Sequence, residues 1–351
     1  MRFTRSSTAL AVVGVLLLVA AALVRFVLVP SMSKLPSDFE SSQDFEGTYT
    51  GLNPAALAGS AAGDVLLQDV PVTATRSYAT DSVEGDTAVV VRTIERSIGG
   101  QADPPTETRY AVDRVDFGSV DAPSGAEDVV ASDGLIFTLP LDPETDGDYQ
   151  LWDQTTAAAY PLEYEGSSEL EGRTVYEYRS QADGEIADPA ALGLPTSLPK
   201  ATLAALAPAL ADLLPPELLA QLPAILPQLP DDIPISWTSA TTSTVFADAE
   251  LGAPLRAGSE QQLTAELNVG VPLQVPFSTI TLTTTDESTQ AQAADTAEDA
   301  SRLNLFGTIL PIGLAILGLL FLIAAALLAR RASPGGATPV RARDTGTPVG
   351  V

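Results

Sequence analysis

Carboxylates are the side chains of this sequence most suggestive of chemistry, and they are densest in LDPETDGDYQLWD, Leu141 to Asp153. Counted from Asp142, acids fall at positions 1, 3, 5, 7 and 12 and Gly147 at position 6, close to the spacing with which an EF-hand loop surrounds Ca²⁺ with oxygens. The flanks oppose that reading. An EF-hand needs a helix on each side, whereas GLIFTLP before the acids and YQLWD within the stretch are aromatic and β-branched strand material. The twelfth position is Asp153, one methylene shorter than the usual bidentate glutamate. The stretch is expected to be an acidic hairpin turn with Asp146-Gly147 at its tip. Asp142, Asp146 and Asp153 are weak metal candidates, and no metal site is expected.

Other chemistries are narrowed by what is missing. The 351 residues contain no histidine and no cysteine, which excludes Ser-His-Asp and Cys-His nucleophiles and zinc held by imidazole or thiolate. Disulfides are excluded as well. The only lysines are Lys34 and Lys200. Carboxylate pairs such as Glu163 with Glu165, or Asp113 beside Arg114, could exchange protons. With 45 acids in the chain such pairs arise everywhere, and solvated charge or a structural ion pair is the expected role. No catalytic residue, no cofactor and no enzymatic activity are expected.

The elements that carry these residues segregate strongly. Apolar runs lie at both ends, Ala9 to Val29 interrupted by Gly14 and Arg25, and Leu305 to Ala329, and each exceeds the roughly 20 residues needed to cross a bilayer. The first could be a cleaved signal peptide, yet RFVLVPSMSKLP after it offers no small-x-small cleavage site, which favours a retained anchor. Arg2 and Arg5 precede the first run, and Arg330, Arg331, Arg341 and Arg343 follow the second, so both termini are expected in the cytoplasm. Small residues, Ala11 with Gly14 and Ala325 with Ala329, lie on one face of each run and would let the two helices associate.

Residues 31–302 hold 44 acids against 11 bases, a formal net charge of −33. That argues against nucleic acid and anionic headgroups as direct surface partners, because such contacts need clustered Lys and Arg. Within this segment period-two, β-branched runs predict an antiparallel sheet: VPVTATRSYAT, DTAVVVRTIERS, TRYAVDRVDF, GLIFTLPL, YQLWD, AAYPLEYE, RTVYEYRS, ISWTSATTSTVFADAE, LTAELNVGV and VPFSTITLTTTDE. EGSSELEG reads as the turn between AAYPLEYE and RTVYEYRS.

Between Ala191 and Pro230 the pattern changes. Leu203, Leu206, Leu210 and Leu213 recur at helical spacing, Pro215-Pro216 restart a helix, and Leu218, Leu219 and Leu222 continue the stripe. Frequent prolines chop the segment into short helices and argue against a third span. Leu203, Leu206, Leu210, Leu213, Leu218 and Leu222 are the candidate lipid or partner contacts, set against the plainer reading of helices packed onto the sheet as core.

The expected architecture is an α+β membrane protein. Residues 1–7 form a cytoplasmic tail, 8–29 the first transmembrane helix and 30–287 an antiparallel β-rich extracytoplasmic domain carrying a Leu/Pro-rich helical bundle at 190–230. Residues 288–304 form a helical stalk, 305–329 the second transmembrane helix and 330–351 a disordered cytoplasmic tail.

GTYTGLNPAAL (47–57), YAVDRVDF (110–117), YQLWDQTTAAAYPLEYEGSSELEGRTVYEYRS (149–180) and DASRLNLFGTILPIGLAILGLL (299–320), with one span at each end, resemble an actinobacterial two-span membrane protein family of unknown function, often labelled the porin PorA family. The resemblance covers nearly the whole chain and brings no catalytic residues with it. Where members read VWVEPTTG, this chain reads TVFADAELGAPL (244–255). More loosely, the arrangement is similar to class B scavenger receptors and lysosomal integral membrane proteins, which implies a β-rich ectodomain that conveys lipid through a tunnel.

The function expected from all this is a non-enzymatic cell-envelope protein of the plasma membrane whose outer domain binds or conveys a lipid or lipoglycan precursor. The alternatives are a porin-like oligomeric channel, as the family label suggests, or a scaffold for an envelope-biosynthesis enzyme. Two helices cannot enclose a channel alone, and strands this acidic cannot face lipid.

Overall fold

The computed structural model describes residues 5–53, 66–206, 224, 226–268 and 272–331. Its α-helices are α1 (Arg5–Leu23), α2 (Val29–Met32), α3 (Lys200–Leu206), α4 (Asp286–Asn304) and α5 (Leu310–Arg331). Two compact units result, one of Met1–Met32 with Ser301–Val351, the other of Ser33–Ala300.

In the first unit, Arg5–Met32 and the C-terminal part of Asp286–Arg330 are long and apolar enough to cross a membrane. The helices meet through glycines. A Cβ added to Gly14 would lie 2.8 Å from the Gly318 carbonyl oxygen, and one added to Gly318 would lie 2.8 Å from that of Gly14. Val29 is the neighbour of Gly307, so α1 and α5 run antiparallel. Buried residues recur every seven positions: Ser7, Gly14 and Ala21 in α1, and Pro311, Gly318 and Ala325 in α5. Pairing Gly14 with Gly318 brings Ser7 level with Ala325 and Ala21 level with Pro311. A repeat of seven keeps one stripe facing the partner, and small side chains let the backbones approach.

Both apolar helices also widen into a π-helical turn, Val24–Leu28 and Leu305–Ile309. The Val29 N–H donates to Val24 O and the Leu310 N–H to Leu305 O. Each turn ends two residues before a proline, Pro30 or Pro311. A proline ring crowds the carbonyl four residues back, and the wider turn makes room for it.

The second unit is built on strands β1 (Glu40–Leu52), β2 (Leu66–Glu84), β3 (Thr87–Ile98), β4 (Gln101–Ala102), β5 (Thr106–Asp113), β6 (Gln150–Asp153), β7 (Ala158–Leu170), β8 (Arg173–Glu185), β9 (Ser197–Pro199), β10 (Asp232–Asp248), β11 (Pro254–Asn268) and β12 (Pro272–Thr284). The main path runs β4-β3-β2-β1-β12-β11-β10-β8-β7-β6, with β5 on β3 and β9 on β10. Every named strand pair is antiparallel. The gap between β5 and β6 is spanned by single bridges, Val112 to Ser119, Gly118 to Leu135 and Leu135 to Leu151. These bridges link the β5 and β6 ends of the sheet.

Strand β1 runs so close to β12 that it requires glycine. A Cβ on Gly47 would fall 1.7 Å from Thr281 O, and one on Gly51 2.6 Å from Phe277 O. Helix α4 covers part of the outer face. Its Ala293 packs with Val175 and Leu255, the Gln292 side-chain amide donates to Ser42 O, and the Ser288 hydroxyl accepts from the Asp44 N–H.

Three expectations need correction. GLIFTLPL is not a strand. Leu135, Ile136 and Leu139 instead pack into one end of the sheet, and Leu135 meets Leu151 of β6 in parallel, so the acidic stretch LDPETDGDY is a loop leading into β6 and not a hairpin turn. EGSSELEG is mostly strand, because β7 runs on to Leu170 and only Glu171-Gly172, both at positive φ, make the turn. Of the helical segment at 190–230, the described part comprises β9, α3, Ala224 and a 3₁₀ turn at Leu226–Gln228, so a bundle is not established.

Candidate functional site

Two apolar clusters fill the inside of the β unit. One joins Ala88, Val90, Tyr110 and Val112 of β3 and β5 to Leu162, Tyr178 and Ala247 across the interior, with the 135–139 plug among them. Phe137 stacks on Tyr78 with centroids 5.0 Å apart. The other, at the opposite end of β10, gathers Ile233, Trp237, Leu267, Leu273 and Phe277. Side chains of these two clusters occupy both ends of the described interior.

The Leu/Pro-rich segment leaves from this second cluster through a narrow neck. Strand β9 pairs with the start of β10, Ile233 facing Leu198 and Asp232 facing Pro199. Lys200 clamps the neck: its backbone N–H donates to Asp231 O at 2.8 Å and its Nζ to Leu229 O at 3.1 Å, while Nζ also lies 3.0 Å from the Asp231 carboxylate. Leu194 and Leu229 are buried in the cluster, and Leu198 and Leu226 pack against it. The Trp237 indole N–H donates to Pro195 O at 2.8 Å. An apolar base thus continues from the core into both feet of the segment.

Of the candidate contacts, Leu203 and Leu206 lie on α3, one turn past the clamp, but their side chains fall outside the description. Leu210, Leu213, Leu218 and Leu222 lie outside the described residues altogether.

The acidic loop is held by backbone contacts and tyrosines. The Asp142 N–H donates to Glu250 O at 2.8 Å, the Glu144 N–H to the Tyr149 hydroxyl at 3.0 Å, and the Tyr178 hydroxyl to Glu144 O at 3.1 Å. Asp153 Oδ1 accepts from the Thr156 N–H and hydroxyl, capping the β6–β7 turn. No group of three or more acids able to hold a metal occurs among the described residues.

The segment TVFADAELGAPL contains a structural lock. Asp248, 1% exposed, takes Arg173 in a two-pronged pair, Nε to Oδ2 at 2.7 Å and Nη2 to Oδ1 at 2.8 Å, and its Oδ1 also accepts from the N–H groups of Glu250 and Leu251. That carboxylate raises the Arg173 pKa above its ordinary value. Gly252, at positive φ, presses against Leu139 and Pro140 of the plug, leaving no space for a side chain.

A cavity of about 400 Å³ opens on the outer face of β3 and β5, lined by Asp81, Ser82, Val89, Arg109 and the 125–128 loop. Its lining is mostly polar.

Sequence reasoning missed two features. The spacing Ser7, Gly14, Ala21 was legible as a seven-residue repeat but was passed over for pairs three or four apart. The inner face of the sheet between the clusters is polar, a consequence of register that no local pattern discloses. There Gln261 donates to Thr155 Oγ1 at 3.0 Å and lies 3.4 Å from both Ser239 Oγ and Thr241 Oγ1.

An acidic antiparallel sheet joined in one chain to two helices long and apolar enough to cross a membrane fits a membrane protein with a β-rich domain. Residues 6–327 match the family model described as Porin PorA, and the chain belongs to that family. No curated protein matches it. Among solved structures it is similar to an acyl-CoA thioesterase II from Mycobacterium marinum, at 12% identity over 70% of this chain and 81% of that one, TM-score 0.12. It is also similar to a MaoC domain protein dehydratase from Chloroflexus aurantiacus, at 14% identity over 76% and 80%, TM-score 0.12. A hot dog fold protein from Alicyclobacillus acidocaldarius gives 15% identity over 73% and 83%, TM-score 0.11. Those scores define no shared fold.

Proposed function

We propose that the chain is a non-enzymatic, two-pass plasma-membrane protein with both termini cytoplasmic, whose β unit holds a membrane lipid or lipoglycan precursor at the end carrying the Leu/Pro-rich segment. The observation supporting this is the apolar base at the Lys200-clamped neck, where Leu194, Leu198, Leu226 and Leu229 run from the core into both feet of the segment. With the described interior occupied by side chains, contact with an acyl chain belongs to the segment's own leucines, not to a tunnel. The absence of histidine and cysteine supports a binding role over catalysis.

The test is lipid extraction and mass spectrometry of the purified full-length chain beside a variant carrying Leu203→Ser, Leu206→Ser, Leu210→Ser and Leu213→Ser. Lipid retained by the parent and lost by a variant of unchanged melting temperature is expected. Equal lipid in both sinks the proposal, and a co-purifying envelope-biosynthesis protein without lipid replaces it with scaffolding.

The family name favours a second reading, a pore. Filled clusters inside the sheet and the glycine seam between α1 and α5 direct that reading to an assembly of several copies. Single-channel recording on full-length protein, with residues 33–300 alone as control, separates it from lipid binding.

A further inference from the structure

Two arginines sit on the inner face of the β unit without an acid. Arg92 is the cross-strand partner of Tyr78 and of Thr108, and Arg76 precedes Tyr78 by two on the same face. That face is the interior one, since Tyr78, Val90 and Tyr110 share the cluster that contains Leu162 and Tyr178. Arg76 and Arg92 are thus diagonal neighbours across the β2–β3 ladder. Neither forms an ion pair among the described residues.

Their hydrogen bonding is incomplete too. The Arg76 and Arg92 Nε atoms, the Tyr110 hydroxyl and the Trp152 indole nitrogen are all buried without a partner. Tyr110 is fully buried, and Thr108 and Trp152 lie beside its hydroxyl. Arg92 lies 5.4 Å from the Tyr110 ring centre and Arg76 4.9 Å from that of Phe45. Aromatic faces soften the charges, but they accept nothing from the in-plane N–H groups. Three of the four atoms can only donate, and two belong to cations. Internal water would satisfy donors and leave both positive charges without a counter-charge.

We propose that this layer between the two apolar clusters is an oxyanion site that takes a phosphate group. A phosphate offers several acceptor oxygens to guanidinium and indole donors and neutralises both arginines at once. Both arginines are only partly buried, so solvent reaches them. The site stands on these residues whether or not the Leu/Pro-rich segment binds lipid.

The experiment is a titration of the detergent-solubilised full-length chain with inorganic phosphate, followed by ³¹P line broadening at near-physiological salt, where surface acids are screened. Chloride at matched ionic strength is the control. Saturable phosphate binding is expected, weakened about tenfold or more in Arg92→Gln and in Arg76→Gln. Arg96→Gln, whose guanidinium pairs at the surface with Asp103, is expected to bind as the parent does. A second titration with dihexanoyl phosphatidic acid distinguishes the sources. Binding much tighter than that of phosphate assigns a lipid headgroup, and equal binding assigns free phosphate. No saturable signal from the parent chain with either probe overturns the proposal, whether or not the variants fold, and unchanged affinity in folded Arg92→Gln overturns the assignment to this layer.

Discussion

At the crossing of α1 and α5, backbones approach through Gly14 and Gly318, and the surroundings are uniformly apolar. In the β unit the same kind of approach, Gly47 and Gly51 against β12, sits beside an interior that alternates apolar cluster, polar layer, apolar cluster. The difference follows from what backbone hydrogen bonds leave for the side chains. A helix satisfies its own peptide groups, so an apolar pair needs only shape. A sheet satisfies its peptides between strands, and its inner residues can then be polar where side chains bond one another.

The largest break in this comparison is expected at Gly47. Gly47→Val places a Cβ inside the Thr281 peptide and is expected to cost on the order of 4 kcal/mol or more, unfolding the β unit. Limited proteolysis with circular dichroism checks it: strand signal lost, helical signal kept. Asp248→Ala is next, leaving the Arg173 guanidinium beside an empty place, for about 3–5 kcal/mol. The double variant Asp248→Ala with Arg173→Met is expected to recover much of that in urea denaturation.

Alkaline pH separates the two units by chemistry. Burial pushes the Tyr49 hydroxyl up to about 12, while its bond to Leu52 O holds it in place, and burial raises Tyr110 and Tyr178 as well. A raised folded pKa stabilises fully below the unfolded value near 10 and is lost as pH rises through the folded one. The β unit is therefore expected to lose about 2–3 kcal/mol from Tyr49 alone between about pH 10 and 12. The helix unit contains no tyrosine and is expected to keep its far-ultraviolet signal. The smallest effect is expected at Gly14. Gly14→Leu overpacks the helix crossing by about 1–3 kcal/mol, lowering cross-linking between cysteines introduced at the level pair Ser7 and Ala325. Melting of the β unit is expected to stay where it was.

Most strands were legible because one face of each is buried and the other wet, as in Val70 to Thr80 and Ile235 to Glu250. GLIFTLPL was misread because its apolar residues fill one end of the sheet, where burial comes from plugging and not from pairing. EGSSELEG was misread because polar residues on the wet face of an extended strand look like a turn until the register is known. Lys200 stood out only as one of two lysines, and its clamp depends on Leu229 and Asp231, about 30 residues away. The candidate leucines could be named by helical spacing alone, whereas what anchors them is the neck.

Composition by itself determined two apolar helices, an acidic segment between them, and the exclusion of histidine and cysteine chemistry, because these need only counting and local period. The seven-residue glycine seam was also written there. Only the tertiary structure decided that the β5 and β6 ends of the sheet are linked and that the described interior is occupied at both ends. It likewise decided that Arg76 and Arg92 share an inner face, because which side of a strand points inward depends on register with partners distant in sequence.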